Sequence, residues 1–220
     1  MKIELVAVVA DTEFMEGTLL AIRKSIRSMW GLSDVKIICP QKVADDVQHE
    51  FTTVVAEFDY QDYSKFMLQE LRKYVEHDYV MTIQYDSCII NGAMWNSDLL
   101  KYDYAGAPWP NQWVNRVGNG GVSLRSRKFL EATAMLPYSK TGIKDLDAED
   151  FYACVYCYHW MSEVGIKFAP VMLAREFCVE HSIPECPHDY DDLSTYKSFA
   201  FHSFYNTAGK RFLNAGLQNE

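Results

Sequence analysis

The sequence predicts an α/β domain built on a mixed, mostly parallel sheet flanked by helices, and three observations predict it. Residues 3 to 9 are an apolar, β-branched run with almost no alternation, broken only by Glu4, the pattern of a strand covered on both faces. Short apolar runs of this kind then alternate with segments whose apolar residues recur at helical spacing, the order that gives a sheet with helices on its faces. Finally, 220 residues with 49% apolar and 23% charged side chains form an ordinary globular mix, large enough to bury a full core. No Pro/Gly/Ser-rich seam divides the chain, so one domain over residues 1–205 with a polar tail at 206–220 is expected.

The elements follow in order. After the first strand and a polar bend at Asp11 to Glu16, Leu19, Ile22, Ile26 and Met29 make a helical stripe that Gly31 can stop. Val35 to Cys39, closed by Pro40, and Thr52 to Phe58 read as the next two strands. Asp62 can cap a helix whose Met67, Leu68, Leu71, Tyr74 and Val75 share a face, and Tyr79 to Ile83 resumes a buried strand. Residues 91 to 120 hold three Trp, two Pro, five Asn and four Gly with little periodicity, which marks a long aromatic loop region. Gly121 to Ser126 reads as a strand and Lys128 to Met135 as a short helix. Asp147 can cap a longer helix with Phe151, Val155, Tyr158 and Met161 on one side, ending at Gly165. Lys167 to Leu173, Glu176 to Glu180 and Ser198 to Ser203 are short strand candidates.

Several function classes lose ground on composition and motif. The formal charge of −9 repels duplex nucleic acid and anionic membrane at long range. No segment reaches the ~18 consecutive apolar residues of a spanning helix, and the N-terminus reads as a strand rather than a leader. The six scattered cysteines in a chain of this size suit a reducing compartment, so free thiols and a cytoplasmic location are expected. Cys154 and Cys157 have redox spacing but fall well inside a helix, and Cys178, His181, Cys186 and His188 lack the paired separations of common zinc sites. No nucleophile elbow and no P-loop motif is present.

Four places carry candidate chemistry. Asp86 stands where a buried strand leaves the sheet, suited either to ligating a hard divalent cation or to an ordinary Asx-turn. Gly118-Asn119-Gly120-Gly121 lets the backbone approach a ligand, or forms a tight turn; it leads into a strand, so it is not a dinucleotide fingerprint. Glu149 and Asp150 open a helix, where they suit the helix dipole, and one of them can face a pocket as a general base. His202 lies in a short alternating strand, either as a structural residue or as the nitrogen of a mixed N/O site of the kind that suits Mn²⁺.

Taken in order, Gln84-Tyr85-Asp86-Ser87, Asp103-Tyr104-Ala105-Gly106-Ala107-Pro108-Trp109, Gly118-Asn119-Gly120-Gly121-Val122-Ser123-Leu124-Arg125, Glu149-Asp150 and Phe201-His202 resemble a family of small glycosyltransferase-like proteins found in surface-polysaccharide clusters and some phages. More distantly they resemble the galactosyltransferases of the GT-A fold, the nucleotide-diphospho-sugar transferase fold. The resemblance runs from about residue 3 to 203. It implies a metal-dependent enzyme that transfers a sugar from a nucleotide-sugar, above all a UDP-sugar, to a hydroxyl of a polysaccharide or similar acceptor. By the same resemblance, Asp86 and His202 are the ligands of Mn²⁺ or Mg²⁺. Asp11, Lys65, Gln84, Asp86, Asn119, Gly120 and Gly121 are the donor contacts, and Asp150, with Glu149 beside it, is the catalytic base. Trp109 and Trp113 are assigned to the acceptor, while Trp95 either joins them or packs beneath the loops. Gln84 replaces the first acid of the family's usual acidic motif, which leaves open a non-catalytic nucleotide- or glycan-binding domain of the same fold. A third reading, transfer to a hydroxymethylated base of phage DNA, makes nucleic acid an acceptor and requires a basic groove from Arg116, Arg125, Arg127 and Lys128.

Overall fold

The computed structural model describes residues 2–29, 32, 34–186 and 197–203. Its first strand, β1 (Ile3–Val8), is buried along almost its whole length. It lies between β2 (Asp34–Cys39) and β4 (Tyr79–Ile83), parallel to both. The one polar break in that run has a partner on each side: fully buried Glu4 meets Lys36 of β2 at 3.0 Å and accepts the backbone N–H groups of Glu76 and His77 just before β4. Burial disfavours charge on Lys36, but the hydrogen bond and charge of Glu4 outweigh it and the ammonium pKa is raised.

The six-stranded sheet has the order β3-β2-β1-β4-β7-β6, where β3 is Thr52–Val55, β6 is Tyr104–Gly106 and β7 is Val122–Ser126. Strands β1 to β4 are parallel, and β7 runs antiparallel to both β4 and β6, so the sheet is mixed and mostly parallel as expected. A second sheet, β5-β9-β8, joins Ser87–Ile89, Ala200–His202 and Cys178–Val179. The chain leaves β1 toward β2 and β3, then returns to place β4 on β1's other side. Ligands of open α/β sheets sit at such a reversal, outside the strands' carboxyl ends.

Several elements depart from expectation for identifiable reasons. A helix at Gln41–Asp46 separates β2 from β3, as parallel neighbours require, but only Val43 is buried, so the sequence shows no stripe there. Ile26 is 38% exposed on helix α1 (Met15–Ser28), whose buried face runs through Met15, Leu19 and Ile22 instead. The helical stretch at 60–73 starts in a 3-10 turn, and Asp62 makes no side-chain cap. Asp147 ends a short helix, Lys144–Asp147, rather than opening the long one. A π turn at Tyr152–Tyr156 itself carries Tyr152, Ala153 and Cys154 into the core and shifts the phase of the helix that follows, Tyr158–Glu163, so that of the four expected residues only Met161 is buried. Gly165 does end that helix, at φ +83°. Lys167 to Leu173 is no strand: Phe168 makes one bridge to Tyr104, and Pro170 starts the helix Val171–Phe177, where its missing N–H costs nothing. Gly31, His188 and the tail at 206–220 lie outside the described residues.

All six cysteines are free thiols. Burial pushes the Cys154 and Cys157 pKa values up, away from the thiolate that redox work needs. Among the described residues, no helix is long and apolar enough to cross a membrane.

Candidate functional site

At the carboxyl ends of β1 and β4 the surface opens into a cleft of about 670 Å³. Val8, Val9 and Ala10 line it from β1, Gln84 and Tyr85 from β4, and Tyr60, Gln61, Tyr63 and Ser64 from the helical stretch that follows β3. Phe14 lies 4.9 Å from the ring of Tyr85 and 5.8 Å from that of Tyr60, giving the cleft an aromatic wall. Gln84 donates its side-chain N–H to the Tyr63 hydroxyl at 3.2 Å. Of the expected donor residues only Gln84 belongs to this lining; Asp86, Asn119, Gly120 and Gly121 lie in the adjoining loops, and Lys65 and Asp11 fall outside it as well. Lys65 is exposed, and the Asp11 carboxylate instead caps the turn Thr12–Phe14, accepting from Thr12 Oγ1 and from the N–H of Glu13.

Beyond Gln84 the chain turns and enters β5, and the register Ser87↔His202 sets Asp86 beside the histidine of β9. Asp86 Oδ1 stands 3.3 Å from His202 Nε2, while the ring's other nitrogen lies 3.6 Å from Glu180 Oε1. Burial opposes charge on this ring, but the Asp86 contact, with Glu180 and Asp150 behind it, outweighs that penalty and raises its pKa. Glu180 is fixed in turn by Asn119, whose side-chain N–H donates to it at 2.6 Å and whose Oδ1 accepts the N–H of Gly121 at 3.1 Å. Asn119 is therefore turned toward Glu180, buried and internally bonded. Gly121 passes so close that a Cβ there would overlap the His202 ring, which accounts for glycine at that position.

Asp150 lies on the other side of the same loop. Its Oδ2 accepts the N–H of Gly120 at 2.8 Å and its Oδ1 that of Phe151 at 2.7 Å. Burial, followed by the charge of Glu149, raises its pKa to about 7 in spite of those two donors and Arg125. Glu149 points inward to Arg125, itself buried, at 3.1 Å, and Arg125 also donates to Ser123 and lies over the Tyr104 ring. The two neighbouring acids are thus divided, one neutralised by an internal guanidinium and the other poised near neutrality. Tyr63 joins this cluster to the cleft: burial first, and then the Glu149 charge, raise the pKa of its phenol.

Trp109 and Trp113 gather on Phe151, with ring centroids 6.0 and 5.2 Å away, directly after Asp150. Trp95 packs against buried Phe199 and belongs to the second sheet's surroundings. The four cations named for a nucleic-acid groove are engaged within the protein. Arg116 forms a two-pronged pair with Glu185 and Arg125 pairs with Glu149, while Arg127 donates to the carbonyls of Arg72 and Val75 and Lys128 to that of Gly165. Sequence reasoning missed Glu180 and also Lys140, which lines the cleft beside the residues named above. Glu180 had one signal, an acid ending a short apolar run, whereas Lys140 sits in an aperiodic loop and had none.

Residues 48–202, more than half of the chain, match the family described as "protein of unknown function (DUF5672)", and the chain belongs to that family. No curated protein matches it by sequence. Among solved structures it is similar to an active-site variant of LgtC, at 12% identity over 98% of this chain and 95% of that one, with a TM-score of 0.54. It is similar also to the galactosyltransferase LgtC in complex with donor and acceptor sugar analogs, at 11% identity over 98% of this chain and 95% of that one, with a TM-score of 0.52. A third likeness is to CMP:2-keto-3-deoxy-manno-octonic acid synthetase complexed with CTP, at 12% identity over 76% of this chain and 88% of that one, with a TM-score of 0.50. These likenesses show the fold, which is that of the GT-A-like nucleotide-diphospho-sugar transferases.

Proposed function

We propose that this member of the DUF5672 family is a metal-dependent glycosyltransferase that moves a sugar from a nucleotide-sugar, a UDP-sugar first among them, to a hydroxyl of a glycan or similar acceptor. One observation carries this reading. At the reversal point of the sheet, an aromatic-walled cleft adjoins, through Gln84 and Tyr63, a loop that holds a carboxylate–imidazole pair on one side and a near-neutral carboxyl on the other.

The residues fit a divalent cation that shares its shell with a bound diphosphate. Asp86 Oδ1 is buried with His202 Nε2 3.3 Å away, and the ring's other nitrogen, buried without a hydrogen bond among the described residues, lies 3.6 Å from Glu180. No three His, Cys, Asp or Glu side chains converge among the described residues, so the protein offers no closed cage. A cation bound by one or two protein groups plus phosphate oxygens and water is the ordinary arrangement for Mg²⁺. Asp86 and His202 would hold it, and when bound it supplies Lewis-acid neutralisation of the departing diphosphate.

The chain's own residues do the rest. The backbone of Gly120 and Gly121 offers the sugar a face between the two halves of the site. Asp150 accepts the acceptor hydroxyl's proton as that oxygen bonds to the anomeric carbon and the bond to phosphate breaks. Trp109 and Trp113, next to Asp150 through Phe151, receive the acceptor's apolar sugar faces.

Two readouts test this. Calorimetry with UDP in the presence and absence of Mn²⁺ is expected to show tighter binding with the metal, and a panel of nucleotide-sugars is expected to release nucleoside diphosphate. Asp86→Ala should abolish both the metal dependence and the release. Mn²⁺-dependent turnover retained in that variant contradicts the assignment.

A further inference from the structure

Among the described residues lining the cleft, Lys140 is the one charged side chain. It arrives on a loop that is held firmly. The Asp147 carboxylate accepts the N–H of Thr141 at 2.6 Å, its hydroxyl at 2.9 Å and the N–H of Gly142 at 2.9 Å, and Gly142 takes φ +80° to close the turn. Those bonds hold the Asp147 carboxyl below its usual pKa, the Thr141 N–H first among them. Tyr138 ties the loop from its other end, donating its hydroxyl to the Asp147 carbonyl at 2.7 Å and lying beside the Ser64 hydroxyl on the cleft wall.

Lys140 is exposed, and the acid it acts on is Asp147, whose carboxyl it helps to hold below the usual pKa and which is already occupied by three donors from Thr141 and Gly142. The loop brings one ammonium into a cleft whose other described lining groups are uncharged, the hydroxyls of Ser64 and Tyr63 among them. Phe14, Tyr60 and Tyr85 form a wall suited to a flat ring, and the same lining contains the hydroxyls of Ser64 and Tyr63 and the ammonium of Lys140, groups suited to an oxyanion. The need for a cation is electrostatic. The phenol of Tyr63 on the cleft wall feels the charges of Glu149 and Asp150, which would oppose a diphosphate there, and Arg125 is already committed to Glu149.

We infer that the Lys140 loop is an anion-binding wall that recognises the phosphates of a nucleotide, with Lys140 as a binding residue. The inference rests on the nucleotide reading of the cleft and names the group that reads the phosphate end. It is tested on the whole chain without divalent metal, by titrating inorganic pyrophosphate, UDP and uridine into the native protein, Lys140→Met and Lys140→Arg. Lys140→Met is expected to weaken pyrophosphate and UDP about tenfold, the size of one partly exposed charge-assisted contact, and to leave uridine unchanged. Lys140→Arg should restore most of the loss.

Equal affinity of Lys140→Met and the native protein for both phosphate probes, or an equal loss for uridine, overturns the inference. So does uptake of uridine without pyrophosphate by the native protein. Pyrophosphate binding that Lys140→Met loses, in a protein that takes no uridine or UDP, leaves the anion wall standing and removes the nucleotide reading instead.

Discussion

Asp150→Asn is expected to cut sugar transfer by roughly 10²- to 10⁴-fold, the usual contribution of a positioned general base, while nucleotide and metal binding stay near native values. The substitution keeps the shape, and the amide oxygen can still accept the Gly120 N–H, whereas the amide nitrogen cannot accept that of Phe151; the unchanged nucleotide and metal binding is what ties the loss to proton transfer. The carboxyl of Asp150 has its pKa raised to about 7, by burial first and then by Glu149, and a base must be ionised to act. Native kcat should therefore climb as pH rises through about 7 and level off above it, and the limb should be absent in whatever activity the variant retains.

The same shift has a stability consequence of opposite direction. An acid whose pKa is higher in the folded state binds more protons there than in the unfolded chain, so folding stability falls as pH rises from about 4, the unfolded value, to about 7. Asp150→Asn removes that contribution to the slope. Denaturant titrations of the two proteins across this range check it; identical slopes would place the perturbed acid elsewhere.

Arg125→Met carries the largest expected loss of stability. The guanidinium is 2% exposed and pairs with Glu149, 5% exposed, so truncating it leaves a carboxylate buried without its counter-charge. Such breaks cost about 3–5 kcal/mol, which is a large share of a domain's total stability. Arg125 also holds the Asp150 pKa down, so any activity left in the variant should show the midpoint of its rising, acid-side limb moved upward. Adding Glu149→Gln removes the stranded charge and should recover part of the loss in chemical denaturation. A single-variant loss below about 1 kcal/mol, or a double variant worse than the single, would show that the pair is not the anchor of this loop.

The parts of the fold legible in sequence were those whose burial leaves a continuous signature. Strands β1 and β4 and the second half of β2 are buried on both faces, and their apolar runs mark them with little ambiguity. Elements that bury one residue, such as the helix around Val43, leave no period to read. The π turn at Tyr152–Tyr156 shifts the helical phase within a segment, so a 3.6-residue stripe drawn from Phe151 selects the wrong face. At Lys167 to Leu173 the apolar residues outweighed Pro170 in the reading, although proline at a helix start was the decisive signal.

The site divides along similar lines. Asp86, His202, Glu149 and Asp150 lie in short motifs with recognisable order, and the fold brings them to the two sides of one glycine loop. Glu180 joins them only through tertiary contact, by way of Asn119, and Lys140 reaches the cleft from a loop whose course is set by Asp147. Neither connection has a spacing that a one-dimensional pattern can display. Arg125 was visible within its motif, but as a surface cation; only its burial beneath Tyr104 and against Glu149 reveals it as the internal counter-charge.

Spectroscopy of protein-bound Mn²⁺ in the presence of UDP goes most directly to the core of this account. Electron-nuclear coupling to one imidazole nitrogen is expected in the ternary complex, and His202→Ala should erase it while uridine binding persists. A manganese–UDP complex on the native protein whose spectrum carries phosphorus coupling and no nitrogen coupling would contradict the placement of the cation between Asp86 and His202.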